Sequence, residues 1–174
     1  MKASFAVVMA AGMFVAGIGV GVAASKKNSP SLYHGKSKAE AAQALIDAAR
    51  VQAGKGSWER IAIGRIQYLG GQKSQGQAVF DSILGGKHEA SDEIRIARVY
   101  REAGEWARAK PMFDAYVARN PKDKTEIAEI GAWYLLAGDR DSAERLFDKS
   151  FAIEDEVWAT VAAAGAYLGV TPQP

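Results

Sequence analysis

The sequence predicts an all-α fold, an α-solenoid of about three helix pairs with an extra helix at each end. Residue types recur with a period of 33 or 34 residues, which indicates one structural unit that is repeated. Within each unit the apolar residues follow helical spacing, and glycines separate the helical stretches. A single helix pair buries too little surface alone, so the repeats are expected to stack into one core.

The best-formed unit covers residues 92–121 and predicts two helices joined by a tight glycine turn. Its pattern is a small residue, an aromatic residue, a glycine, a second small residue, a second aromatic residue and a final proline: Ala97, Tyr100, Gly104, Ala109, Phe113 and Pro121. This spacing resembles that of the tetratricopeptide repeat (TPR) family. The resemblance implies a right-handed solenoid of helix A and helix B pairs, whose concave groove binds other proteins.

Three repeats are predicted, at about residues 57–89, 90–123 and 124–157. The small residues that let helix A and helix B approach closely are Gly64, Ala97, Ala109, Gly131 and Ala143, and the aromatic residues that fill the spaces between pairs are Tyr100, Phe113, Tyr134 and Phe147. The first repeat departs most from the pattern, because Gln67 stands where tyrosine is expected.

An unpaired helix is predicted at each end of the repeat domain, which we place at residues 37–170 with a tail at 171–174. Residues 37–53 carry a capping box of Ser37 and Glu40. Ala42 precedes Gly76 by 34 residues, so this helix corresponds to the second half of an incomplete repeat. Residues 156–168 form the last helix, in which Gly165 aligns with Gly131 of the third repeat.

The first 24 residues predict export. A basic start, an uncharged apolar run over residues 3–24 and small residues at its end are typical of a secretory signal peptide. The same run is long enough to be an uncleaved inner-membrane anchor. We therefore expect a periplasmic protein, or one anchored in the inner membrane with its repeats outside the cytoplasm. Residues 25–36 are polar and predict a flexible linker.

Composition argues against several other classes of function. A net charge of +2 gives no basic footprint for nucleic acid. The absence of cysteine excludes disulfides, thiol catalysis and cysteine-ligated metals. Phosphate-binding loops and serine nucleophile motifs are missing as well. We predict no catalytic residue, no metal and no cofactor, with a helical envelope hydrolase as a remote alternative.

The TPR resemblance also implies which residues line the groove, since helix A supplies most of that surface. The peptide-groove candidates are Trp58, Ile61, Arg65, Tyr68, Ile94, Arg98 and Arg101, and the third repeat would add Ala128 and Ala132. Arginines flanked by aromatic residues can bind the carboxylates of a peptide. The alternative is a solvated face on which Arg98 pairs with Glu102 and Arg101 with Glu105.

The two ends of the chain carry opposite charge. Residues 25–60 contain seven basic and three acidic side chains, and residues 139–156 contain three basic and seven acidic ones. This asymmetry is compatible with head-to-tail self-association or with simple solvated helix faces.

The leading hypothesis is a non-catalytic adaptor that binds a protein or peptide. The alternative is a membrane-anchored, self-assembling scaffold. The TPR resemblance implies a role in envelope assembly, secretion or pilus biogenesis.

Overall fold

The computed structural model describes residues 28–172, so the predicted leader at residues 1–24 lies outside the described part. Within it the chain forms a 3-10 helix, Pro30–Leu32, and eight α-helices: α1 (Lys38–Ala53), α2 (Ser57–Leu69), α3 (Lys73–Leu84), α4 (Ala90–Glu102), α5 (Trp106–Arg119), α6 (Lys124–Leu136), α7 (Arg140–Phe151) and α8 (Val157–Tyr167). No strand occurs over residues 28–172, and none of the helices described there is long and apolar enough to cross a membrane. The all-α prediction is confirmed.

Three helix pairs, α2–α3, α4–α5 and α6–α7, form the body of the molecule. The turn inside each pair contains a glycine with positive φ: Gly71 at 91°, Gly104 at 77° and Gly138 at 90°. Residues with a side chain rarely adopt this conformation, whereas glycine does so at little cost. These glycines therefore end helix A and let helix B fold back on it.

Small residues occupy the points where helix A and helix B cross. A β-carbon placed on Gly131 would lie 2.8 Å from the ring of Phe147, and one placed on Gly64 would lie 2.6 Å from the ring of Phe80. Ala109 and Ala143 have no exposed surface. The interior leaves no space for a larger group at these positions.

Aromatic rings connect each pair to the next. Tyr68 contacts Phe80 and Tyr100, with ring centroids 5.6 and 5.7 Å apart. Trp106 meets Tyr134 edge to face at 5.0 Å. In the first repeat the aligned position holds Gln67, which is buried, and the neighbouring Tyr68 supplies the ring.

The first helix starts where its capping box predicts. The backbone N–H of Ser37 donates to Glu40 Oε2 at 3.0 Å, and the N–H of Glu40 donates to Ser37 Oγ at 3.3 Å. In the segment before it, Pro30–Leu32 forms a 3-10 turn capped by Ser29. Proline in the first turn fixes φ in the helical range, which favours this short helix.

The last helix, α8, packs closely against α6. Both helices contribute buried alanines to the core, each at most 7% exposed: Ala128 and Ala132 of α6, and Ala159, Ala163 and Ala166 of α8. Such side chains allow two helices to approach closely. Ala128 and Ala132, expected to line a groove, are therefore covered by the chain's own last helix.

Candidate peptide-binding groove

A cavity of about 450 Å³ lies between the A helices of the three repeats. Helices α2 and α4 supply most of its wall, α6 contributes one tryptophan, and the segment after α8 closes one side. The lining residues are Trp58, Ile61, Ala62, Arg65, Arg95, Arg98, Val99, Arg101, Glu102, Trp133, Thr171 and Pro172. Basic and aromatic side chains dominate this surface.

Two arginines of the cavity have no acidic partner among residues 28–172. The guanidinium carbon of Arg95 lies 3.6 Å from the ring centroid of Trp58, and that of Arg101 lies 5.4 Å from the ring centroid of Trp133. Their Nε atoms are buried and have no hydrogen-bond partner in the described part of the chain. A cation held over an indole face is stabilised by about 0.5–2 kcal/mol, but this contact does not satisfy the Nε–H donor. These two groups are the most strongly indicated anion-binding atoms of the cavity.

The other two arginines of the cavity are neutralised by glutamates from neighbouring helices. Arg65 on α2 donates to Glu102 on α4, with Nε 2.7 Å from Oε2. Arg98 on α4 donates to two residues of α6, with Nε 2.7 Å from Glu129 and Nη2 2.8 Å from Glu126. The predicted pairing of Arg98 with Glu102 is wrong, because stacking brings the glutamates of the next repeat within reach.

The predicted pairing of Arg101 with Glu105 is also wrong. Glu105 points to the other side of the pair, where it accepts bonds from Tyr68 at 2.7 Å and from Lys73 at 2.5 Å. These bonds hold the pKa of Glu105 below its usual value, with Lys73 the first cause and Tyr68 the second. Arg101 is left over the ring of Trp133.

The Arg98 cluster joins the second repeat to the third in a poorly hydrated site. Burial raises the pKa of the Glu126 carboxyl, and the positive charge of Arg98 offsets only part of that effect. For Arg98 itself burial disfavours the charge, but Glu129 and Glu126 outweigh it and raise the pKa of the guanidinium. Arg98 thus acts mainly as a structural link between repeats, although it also lines the cavity.

The structure brings together Trp58, Ile61, Arg65, Arg98 and Arg101 of the predicted groove residues. It places the remaining two, Tyr68 and Ile94, in the core instead, at 4% and 3% exposure. Tyr68 packs between aromatic rings and donates to a carboxylate, and Ile94 belongs to the central apolar cluster. Neither side chain is free to meet a ligand.

Sequence reasoning missed Arg95 and Trp133, each one residue beyond an expected groove position. A signal was present for the first: arginines recur at positions 95, 98 and 101, and residues three apart share a helix face. Trp133 could be found only by knowing where α6 lies relative to α4.

A second cavity of about 450 Å³ continues from the first along α8. The two cavities share Thr171 and Pro172, so this segment separates them. The second cavity is more apolar, and its walls include Thr125, Glu129, Trp158, Val161, Ala162, Gly165 and Val170.

Stacked helix pairs with an open cavity between their A helices define an α-solenoid of the repeat class that binds other proteins. Residues 94–123, which span most of α4 and all of α5, match the family model of the tetratricopeptide repeat. Comparisons with curated proteins and with solved structures gave no match. TPR repeats serve in general as protein–protein interaction modules.

Proposed function

We propose that this chain is a non-catalytic adaptor that captures an acidic peptide segment of a partner protein in the cavity between its A helices. The observation that supports this most directly is the pair Arg95 and Arg101. Each guanidinium lies over a tryptophan ring, and neither has an acidic partner in the described part of the chain. Partially buried cations without counter-charge are costly unless a ligand pairs with them. Carboxylates that enter the cavity offset the charge of these guanidinium groups.

The cavity also favours an apolar residue next to the acidic one. Ile61, Val99 and the two tryptophans line it beside the arginines. A guanidinium binds a carboxylate through two parallel hydrogen bonds, whereas aromatic walls gain most from burying an aliphatic or aromatic side chain. The matching ligand is thus a short peptide with one or two Asp or Glu residues beside an apolar anchor.

This ligand class can be tested by panning a random peptide library displayed on phage against the full-length protein. We expect selected peptides to be rich in Asp and Glu, and synthetic copies to change the tryptophan fluorescence on binding. Arg95→Gln and Arg101→Gln should each weaken binding about tenfold or more, since a hydrogen bond to a charged group contributes roughly 1.5–3 kcal/mol.

Arg145→Gln is the matched control, because Arg145 is exposed on α7 and does not line the cavity. Selected peptides without acidic residues, or peptides that bind the two cavity variants as tightly as the control, would reject the assignment. Arg98 is unsuitable for this test, since its removal leaves Glu126 and Glu129 unpaired.

We further propose that the adaptor works in the cell envelope, supported by the apolar run at residues 3–24. A cleaved leader gives a periplasmic adaptor, and a retained leader gives an anchored scaffold. The N-terminal mass of the protein from native membranes, together with a carbonate wash, separates them. Recovery of uncleaved protein from the cytoplasmic fraction alone would contradict both.

A further inference from the structure

We propose that copies of this chain associate head to tail, with the outer face of α8 in one copy docked on α1 of the next. The C-terminal face consists of Val157, Trp158, Val161 and Leu168. The N-terminal face consists of Ala42, Leu45 and Ala49 on α1. This interface lies outside the arginine cavity and is independent of the proposed peptide ligand.

The C-terminal face is unusually apolar for the end of a repeat array. Its four side chains are 63%, 68%, 55% and 81% exposed, and their spacing puts them on one side of α8. No residue of Val157–Tyr167 carries a charged side chain. Terminal repeats normally present a polar outer surface, and a continuous exposed apolar patch marks an interaction site.

The two ends of the molecule are complementary halves of one repeat. In the first and third repeats the crossing glycine of helix A, Gly64 or Gly131, faces a phenylalanine ring of helix B. Gly165 instead faces Val170 of its own tail, with the Val170 carbonyl oxygen 3.7 Å from a placed β-carbon. In complete repeats the crossing alanine of helix B is fully buried, as Ala143 is, whereas Ala42 on α1 is exposed. Among residues 28–172, no helix B follows α8 and no helix A precedes α1; in the proposed assembly a second copy supplies each.

Charge favours this head-to-tail arrangement over a symmetric pairing of two α8 helices. Residues 139–156 carry seven acidic and three basic side chains, and residues 25–60 carry the reverse. Head-to-tail docking brings unlike ends together, while symmetric docking through α8 brings two acidic ends together. A contact between two different surfaces leaves a free surface at each end, so it builds chains or rings of copies.

The register of complete repeats predicts which residues meet. Gly76 of helix B lies directly on Gly64 of helix A, since a β-carbon on Gly76 would be 2.5 Å from the Gly64 carbonyl oxygen. By the same alignment Ala42 lies on Gly165, and antiparallel packing then places Leu45 near Val161. The cavity beside Val161 offers a recess for that aliphatic side chain.

The chain has no cysteine, which permits a direct test in whole cells. Full-length Leu45→Cys and full-length Val161→Cys, carrying different tags, are co-expressed and treated with a short bismaleimide crosslinker. We expect a crosslinked species that carries both tags. The pair Ala42→Cys and Leu168→Cys should also give a crosslinked species with both tags. In the control, Asp81→Cys replaces Val161→Cys. Asp81 is exposed on α3, and this pair should give no crosslinked species with both tags.

Crosslinks only between two Val161→Cys copies would indicate symmetric pairing and overturn the proposal. The absence of mixed species for both cysteine pairs would overturn it as well.

A second variant tests the apolar face itself. Trp158→Ser alters a side chain that is 68% exposed, so it should keep its helical circular dichroism and lower the mixed crosslink at least fivefold. An unchanged yield of the mixed crosslink in the Trp158→Ser variant would overturn the proposal. Arg95→Gln changes the arginine cavity and should not alter the yield of the mixed crosslink.

Discussion

At the scale of single residues, the crossing glycines show how tightly the helix pairs fit. Gly131 and Gly165 are aligned in sequence, yet their surroundings differ. A β-carbon on Gly131 would lie 2.8 Å from the Phe147 ring, and one on Gly165 would have its nearest neighbour, the Val170 carbonyl oxygen, at 3.7 Å. The first distance requires the ring to move, while the second is an ordinary van der Waals contact.

We therefore predict opposite effects of the same substitution at the two positions. Alanine improves helix propensity by about 1 kcal/mol in both, but Gly131→Ala also overpacks the crossing at a cost of about 1–3 kcal/mol. The free energy of unfolding, measured by urea titration, should be higher for Gly165→Ala than for Gly131→Ala by the overpacking cost of about 1–3 kcal/mol. Equal stabilities would show that the crossing has spare room.

The same scale explains why the site was harder to predict than the fold. Turn glycines and small crossing residues act on neighbours within their own repeat, so the sequence pattern is sufficient to place them. Whether an arginine is free depends on residues far along the chain. Arg98 is paired with Glu126 and Glu129 on the next repeat, whereas Arg95, on the same helix, lies over the ring of Trp58 and has no acidic partner within residues 28–172.

At the scale of elements, the two ends of a helix pair are joined by an ionic cluster as well as by apolar packing. Glu93 in the first turn of α4 accepts a bond of 2.9 Å from Arg119 at the end of α5, and one of 3.0 Å from His88 in the preceding loop. Arg119 first, and also His88, hold the pKa of the Glu93 carboxyl below its usual value despite burial. The cluster stabilises the pair when Glu93 is ionised.

Glu93→Gln should therefore lower stability in a pH-dependent way. Because the folded-state pKa of Glu93 is depressed, its contribution is fully present above the unfolded pKa of about 4.3 and is lost as pH falls through the folded value. Since Arg119 is exposed, we expect a loss of only about 1 kcal/mol at pH 7. Chemical unfolding of both proteins at pH 7 and near pH 3 measures this. If the difference in unfolding free energy between the two proteins were as large near pH 3 as at pH 7, the ionic explanation would be contradicted.

At the scale of the whole molecule, the junction between the second and third repeats carries a partly buried charge cluster. The side chains of Arg98 and Glu129 are 17% and 13% exposed. Such a cluster adds little net stability compared with apolar packing, but removing one member leaves the others uncompensated. The junction is thus sensitive to single substitutions.

We predict that Arg98→Met destabilises the protein by about 3 kcal/mol, because it leaves two glutamates without a counter-charge. Adding Glu126→Gln and Glu129→Gln to that variant should restore most of the loss. Thermal unfolding of the single and triple variants tests this, with Arg145→Gln as the control for loss of an exposed arginine. A triple variant less stable than the single one would show that the glutamates stabilise the junction by themselves.

The segment Thr171–Pro172 affects how any binding constant for this protein should be read. It contacts both cavities and is tethered to α8, so it competes with a long partner at a high effective concentration. A short peptide confined to the arginine cavity leaves it in place. A partner that runs from the arginine cavity into the second cavity must displace it, because the segment separates the two cavities. Its measured affinity is then the difference between two binding free energies.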